Sequence, residues 1–353
     1  MHPLLQALSK HFPWHPARQE CFAMMIVGII DSCKVHLKEM AYQLPGQATT
    51  SSKVHRIYRF LREQAIDYDT LFRFILSLIS NSPVILTMDR SNWKFGTNEI
   101  NILFLCVVVK SVSIPLCWLS LGRAGLCDTA QRKQLLQKAI DIIGHKNIRY
   151  FLADREFMGK DWLHYLHTQK IQYSIPLKSN TRITLGKKPL IRVDKAFPSL
   201  PQRHYVHRHG LLFAVPVLFA AYRNDQGELM VLVCSEDLGV EPFLLYKQRW
   251  TIERLFKHLK TGGFNMEDSH ITKPERFDKL IAALAIAAVI VVKQGIIRHK
   301  NKPITVKKTL NRALYSVFTY GLDQLRAMIK AANKIFEHNL DNLLKSPIGY
   351  NNG

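Results

Sequence analysis

The chain has 353 residues, and its 49 Lys and Arg outnumber its 27 Asp and Glu to give a formal net charge of +22. A hydrophobic content of 47% is enough for a sizeable core and excludes a disordered chain. Solubility needs a net charge only on the order of 2–8 in a small domain. A charge this large therefore points to a polyanionic partner, nucleic acid first, rather than to an ordinary metabolic enzyme.

The six cysteines, Cys21, Cys33, Cys106, Cys117, Cys127 and Cys234, include no C-x-x-C pair. That argues against a zinc ribbon or a redox dithiol. Met1-His-Pro-Leu-Leu5 lacks the basic and apolar regions of a signal peptide. The longest apolar run, Leu280 to Val292, is shorter than the roughly 20 residues that span a bilayer. The expectation is a protein of the reducing cytoplasm with no membrane partner.

Residues 1–80 read as helical. Gln19 to Ile30 and His36 to Leu44 form two helices, and a turn at Gly46 precedes a third over about 52–63. In that third helix Val54, Ile57, Tyr58 and Leu61 share one face, while His55, Arg56, Arg59 and Arg62 share the other. The pattern fits a helix-turn-helix that contacts DNA through Arg56, Arg59 and Arg62. It equally fits any basic surface helix.

Residues 81–179 read as α/β. Pro83 to Met88 is a strand running into Asp89, and Asn101 to Lys110 and Val112 to Leu121 are further strands. A helix over Thr129 to Ile143 precedes a strand, Ile148 to Ala153, that runs into Asp154. A helix over Gly159 to Thr168 and a strand over Ile171 to Leu177 follow. Three strands, helix, strand, helix, strand is the element order of an RNase H-like core.

Residues 180–236 read as a β-rich insertion, with a hairpin formed by Leu211 to Tyr222 and Glu228 to Cys234. Residues 155–210 hold eleven Lys or Arg against three acids, so the approach to the insertion is basic. In a strand only His207 and His209 share a face, so with His204 they read as solvated or phosphate-contacting side chains rather than a metal site. Residues 237–300 return to helix and the core, with a long apolar helix over Phe277 to Ile297, and residues 301–353 are helical. The predicted fold is α/β: an RNase H-like catalytic core with a β-rich insertion, flanked by helical N- and C-terminal regions.

Asp89 and Asp154 are the candidates for chemistry in the core. Each follows an apolar run and precedes an Arg. A carboxylate at a strand end is held rigidly yet faces a cleft, where it can ligate a metal; it can also simply begin a turn. Tyr246, Arg249, Glu253 and Lys260 fall within a stripe about 60° wide on a helical wheel. Leu245, Ile252, Leu255, Phe256 and Leu259 occupy the neighbouring arc. By spacing alone the stripe could be a solvated charged face.

The motif Tyr246-x2-Arg249-x3-Glu253-x6-Lys260, together with Asp89 and the block Asp154-Arg-Glu-Phe157, resembles the signature of the insertion-sequence-4 family of DDE transposases. The resemblance runs from about residue 35 to 300. It implies that Asp89, Asp154 and Glu253 bind two Mg²⁺ ions, with Mn²⁺ able to substitute, for in-line phosphoryl transfer. It further implies DNA contacts by Tyr246, Arg249 and Lys260, double-stranded DNA with terminal inverted repeats plus target DNA as partners, a homodimer on DNA, and a bacterial cytoplasmic, nucleoid-associated location. Glu156 has no role in the family pattern and reads as a surface or supporting residue. Family members that extrude a base stack it on a Trp of the insertion. None of Trp14, Trp93, Trp118, Trp162 and Trp250 lies in 180–236, which leaves Tyr205 and Phe213 as the aromatic candidates. The rival expectations are a transposase-derived DNA-binding protein without catalysis and an RNase H-like nuclease acting on other nucleic acids.

Overall fold

A computed structural model describes residues 2–348 apart from 45, 80–82, 123–126, 308, 310–311 and 332. The N-terminal helices are α1 (His2–His11), α2 (Pro16–Ser32), α3 (Leu37–Ala41), α4 (Thr50–Glu63) and α5 (Tyr68–Ile79). Thr49 caps α4 by accepting the Ser52 N–H, which satisfies one of the free amides of the first turn. The α4 residues Ile57, Phe60 and Leu61 are buried, and Phe60 stacks on Phe22 of α2 at 5.4 Å. Tyr58, expected on that apolar face, is exposed, because it lies at the edge where the Arg276 guanidinium covers its ring at 4.8 Å.

An antiparallel meander follows: β1 (Val84–Phe95), β2 (Asn98–Val109) and β3 (Val112–Ser120). α6 (Thr129–Ile143), opened by an Asp128–Gln131 capping box, leads into β4 (Ile148–Ala153), parallel to β1. α7 (Lys160–Thr168) leads into β5 (Tyr173–Pro176), parallel to β4. The sheet order β3-β2-β1-β4-β5, with these strand directions, is the RNase H-like arrangement.

The segment after β5 does not form a separate β unit. It comprises β6 (Arg182–Leu185), β7 (Ile191–Arg192), α8 (Val193–Ala196), β8 (Tyr205–Leu212), β9 (Val215–Arg223) and β10 (Leu229–Ser235). β10 pairs antiparallel with β5, so the insertion extends the core into one ten-stranded sheet. The stretch expected as one strand from Leu211 to Tyr222 is two strands. Phe213 and Ala214 both take positive φ (51° and 66°) and form a two-residue hairpin turn without glycine, which conceals the turn from a sequence reading.

The chain returns through α9 (Pro242–Lys247), a 3₁₀ turn at Gln248–Trp250, α10 (Thr251–Lys260) and α11 (Pro274–Asn301). It closes with short strands β11 (Val306–Lys307) and β12 (Arg312–Ala313), then α12 (Val317–Ala331) and α13 (Asn333–Lys345). α11 is longer than its apolar run suggested, and its 28 residues would suffice in length and hydropathy to cross a membrane. Its most apolar window is 89% buried inside the protein, so the apolar surface is spent on the core. Gly295 of α11 and Gly321 of α12 let the two helices touch backbone to backbone: a Cβ on Gly321 would lie 2.0 Å from the Val291 carbonyl oxygen.

Residues of β1 alternate between the two sheet faces. Ile85, Asp89 and Trp93 share the face covered by α9, α10 and the start of α11, where Ile85 packs with Leu152, Leu245 and Tyr246, and Trp93 meets Phe277. On the opposite face Phe151 of β4 packs on Trp162 of α7.

Candidate active site

Asp89 is not at a strand end, as expected, but in the middle of β1. The reason lies in its neighbours. β1 stays paired with β2 as far as Phe95, whereas its parallel pairing with β4 ends at Met88 opposite Ala153. Asp89 and Asp154 are thus the first residues beyond the last paired position, on strands spaced about 4.8 Å apart. β4 leaves the sheet at Asp154 while β1 continues, and the opening between them is the cleft.

The two carboxylates are anchored alike. Asp89 Oδ1 accepts the Arg90 N–H at 2.7 Å, and Asp154 Oδ1 accepts the Arg155 N–H at 2.7 Å. Burial pushes the Asp89 carboxyl up to about 6, with Glu156 and Asp154 adding to the rise, while the Arg90 N–H and the Arg249 guanidinium oppose it.

The Tyr-Arg-Glu-Lys segment is not one continuous helix, because the 3₁₀ turn at Gln248–Trp250 separates α9 from α10. The four side chains consequently grade from core to solvent. Tyr246 and Arg249 are buried, Lys260 is half-buried, and the Glu253 side chain is half exposed. Ile252, Leu255 and Leu259 are buried beneath α10 as expected, with Phe256 half-buried. A buried hydrogen bond of 2.7 Å between Ser113 and Thr251 fixes the start of α10 on β3.

Arg249 is the hub of the site. Its Nη1 lies 3.6 Å from Asp89 Oδ2, its Nη2 donates to Glu253 Oε1 at 2.5 Å, and its guanidinium stands 5.7 Å from the centre of the Tyr246 ring. Burial raises the Tyr246 hydroxyl to about 12, so it stays protonated at neutral pH. Lys260 Nζ sits 5.5 Å over the Trp93 ring, four residues along β1 from Asp89.

Two residues acquire contacts that the sequence reading did not give them. Arg90 and Glu156 form a two-pronged ion pair, Nε to Oε1 at 2.8 Å and Nη2 to Oε2 at 3.0 Å. The signal available was only that each stands next to or near a candidate aspartate. Of the α4 arginines, Arg56 is turned inward onto Glu20 at 2.5 Å and Arg62 pairs with Glu63 at 2.6 Å, while Arg59 is exposed. Tyr205, Phe213 and Trp250 are exposed aromatics.

The donor set suits a hard divalent cation. Asp89 and Asp154 each keep one carboxylate oxygen outside the backbone hydrogen bond. Glu253 is drawn aside by Arg249. Among the described residues no three His, Cys, Asp or Glu stand close enough together to share an ion in this arrangement.

The strand order and directions define an RNase H-like core, with Asp89 and Asp154 side by side where β4 leaves β1. Residues 117–290 match the family described as transposase DDE domain. The matched stretch contains Asp154, Tyr246, Arg249, Glu253 and Lys260, and Asp89 precedes it. Among solved structures, the chain is similar to a piggyBac transposase synaptic complex with hairpin DNA, at 14% identity and TM-score 0.48, over 95% of this chain and 77% of that one. It is also similar to endonuclease V of Bacillus subtilis (10% identity, TM-score 0.24, 72% of this chain and 96% of that one). A Ciona intestinalis endonuclease V bound to DNA gives 8% identity and TM-score 0.26, over 61% of this chain and 96% of that one. No curated protein matches the sequence.

Proposed function

We propose that the protein is a cut-and-paste DNA transposase of the insertion-sequence-4 type. The observation that carries the reading is the placement of Asp89 and Asp154 side by side where β4 leaves β1, beside the segment whose Arg249 reaches Asp89 and pairs with Glu253. In this reading Asp89, Asp154 and Glu253 hold two Mg²⁺ ions, for which Mn²⁺ can substitute. The ions would activate the attacking oxygen and stabilise the leaving oxygen of in-line phosphoryl transfer.

The chain's own groups have separable tasks. Asp89 and Asp154 would hold the cations against the sheet and so set where the reacting phosphate sits. Arg249, held by Tyr246 and Glu253, presents a guanidinium at the cleft wall, where a DNA phosphate oxygen can exchange for a carboxylate. Glu253, half exposed at the start of α10, joins the aspartates when Arg249 turns to DNA. Lys260 contacts the backbone beyond Trp93.

The partners are double-stranded DNA with terminal inverted repeats and a target duplex, handled by a homodimer in the bacterial cytoplasm. Residues 1–80 act as the helical DNA-binding region, 81–179 and 237–300 as the two parts of the core, 180–236 as the insertion and 301–353 as the C-terminal helical region. Replacing Glu253 by Gln should abolish Mg²⁺-dependent cleavage of DNA bearing the element ends, and near-wild-type cleavage would overturn the assignment.

A further inference from the structure

A cleft of about 490 Å³ lies between the N-terminal helices and the segment that joins α10 to α11. His36 and Lys38 of the α3 region line one side, and His270, Lys273 and Arg276 line the other. Leu37, Val54 and Leu61 supply an apolar floor, and no Asp or Glu is among the described residues that line it.

The basic groups here differ from those of α4. Arg56 and Arg62 spend their charge on Glu20 and Glu63. Lys38 and Lys273 are exposed and meet no acid among the described residues. Arg276 is half-buried and pre-set: it stacks over the Tyr58 ring at 4.8 Å and donates one Nη1–H to the Tyr58 hydroxyl. Its other donors have no partner among the described residues. A fixed guanidinium beside free ammonium groups suits a phosphodiester, because the ordering cost of the arginine has already been met within the protein.

Position links the cleft to the catalytic centre. Lys260 lies over Trp93, Trp93 packs on Phe277 at 5.1 Å, and Phe277 adjoins Arg276. Asp89 to Trp93 is four residues of strand, roughly 13 Å. The basic cleft therefore starts within one turn of duplex, about 34 Å, from the carboxylates.

We propose that this cleft is a second DNA grip, which holds the phosphate backbone of the duplex being cut through Lys38, Lys273 and Arg276. The inference rests on the transposase reading and adds the path of the DNA: from Asp89 and Asp154, past Lys260, into the joint between α3, α4 and the start of α11. Grip on the joint would also tie the N-terminal helices to the core when DNA is bound.

The test uses the full chain with the double substitution Lys38→Gln and Lys273→Gln, two exposed positions. A matched control carries Lys146→Gln and Lys170→Gln, which lie by the starts of β4 and β5, at the opposite end of the strands from Asp154. Binding of duplex DNA carrying the element ends is followed by anisotropy over a range of KCl concentrations. Loss of two phosphate contacts should flatten the slope of log K against log salt by about 1.8, at about 0.9 per contact. The control should keep the wild-type slope, and unchanged thermal melting shows that both variants fold. An unchanged slope in the cleft variant, or an equal drop in both variants, overturns the grip while wild-type cleavage leaves the transposase reading standing. A wild type that neither binds nor cuts the DNA overturns both.

Discussion

Arg90 and Glu156 form a two-pronged ion pair, 2.8 and 3.0 Å, between the residue after the first aspartate and the residue two positions after the second. β1 and β4 have stopped pairing at this level, so the ion pair takes over where the ladder ends and sets the gap between Asp89 and Asp154. Both side chains are partly buried, at 22% and 29% exposure, which limits screening.

Removing that clamp should loosen the carboxylates without deleting one. Glu156→Ala is expected to raise the Mg²⁺ concentration needed for half-maximal cleavage by roughly 10–100-fold, the usual cost of losing a residue that orients a metal ligand. Arg90→Ala should do the same, and the double variant should be no worse than either single one. A magnesium titration of cleavage for the four proteins measures this, and strictly additive losses would show that the pair does not act as a unit.

Asp278 offers a test of the packing around α11 that is independent of catalysis. Burial raises its carboxyl to about 7, with Glu275 adding to the rise, and its Oδ1 has no hydrogen-bond partner among the described residues. The folded pKa lies above the unfolded value of about 3.9, so the native state holds the proton more tightly. Stability from this group is therefore full below about pH 4 and is lost as pH rises through about 7. Asp278→Asn should be more stable than wild type at pH 8 by a few kcal/mol, at roughly 1.4 kcal/mol per pK unit. Near pH 4 the gain should vanish. Urea denaturation across that range checks the sign, and a pH-independent difference would contradict it.

The contact of α11 with α12 depends on two glycines. A Cβ at Gly321 would stand 2.0 Å from the Val291 carbonyl oxygen and 2.5 Å from the Gly295 nitrogen, and one at Gly295 would stand 1.9 Å from the Val317 oxygen. Backbone on both sides leaves no flexible side chain to yield. Gly321→Ala should lose about 2 kcal/mol or more of stability by overpacking, read as a lower urea midpoint. A loss below about 0.5 kcal/mol, the range of ordinary surface substitutions, would mean that the helices can separate freely.

Much of the core was legible because apolar runs and turn residues agree in this chain. The strand over Ile148 to Ala153 matches β4 as expected, and the helix over Thr129 to Ile143 matches α6. The candidate aspartates were singled out by their place after apolar runs, and the Tyr246-to-Lys260 motif by its resemblance to a known signature. What stayed hidden depends on tertiary context. The Phe213–Ala214 turn uses two non-glycine residues in the left-handed region, so no turn residue marks it. Asp89 falls inside its strand because β2 outlasts β4 as a partner, and strand pairing cannot be read from one strand's own residues. Arg56 and Arg249 look like free basic residues in sequence, yet the fold gives each a carboxylate. The basic cleft joins residues 36–38 to residues 270–276, a separation no local pattern reports.

The most direct test of the account is strand transfer. Protein, linear DNA carrying both element ends and a circular target plasmid are incubated with Mg²⁺, and the products are resolved on a gel. The wild type should release the element and join its 3′ ends to the plasmid, and Asp89→Asn and Asp154→Asn should each give neither excision nor joining while binding the ends normally. Joining by either variant at wild-type level, or a wild type that cuts the DNA only by hydrolysis and never joins it, would contradict the account.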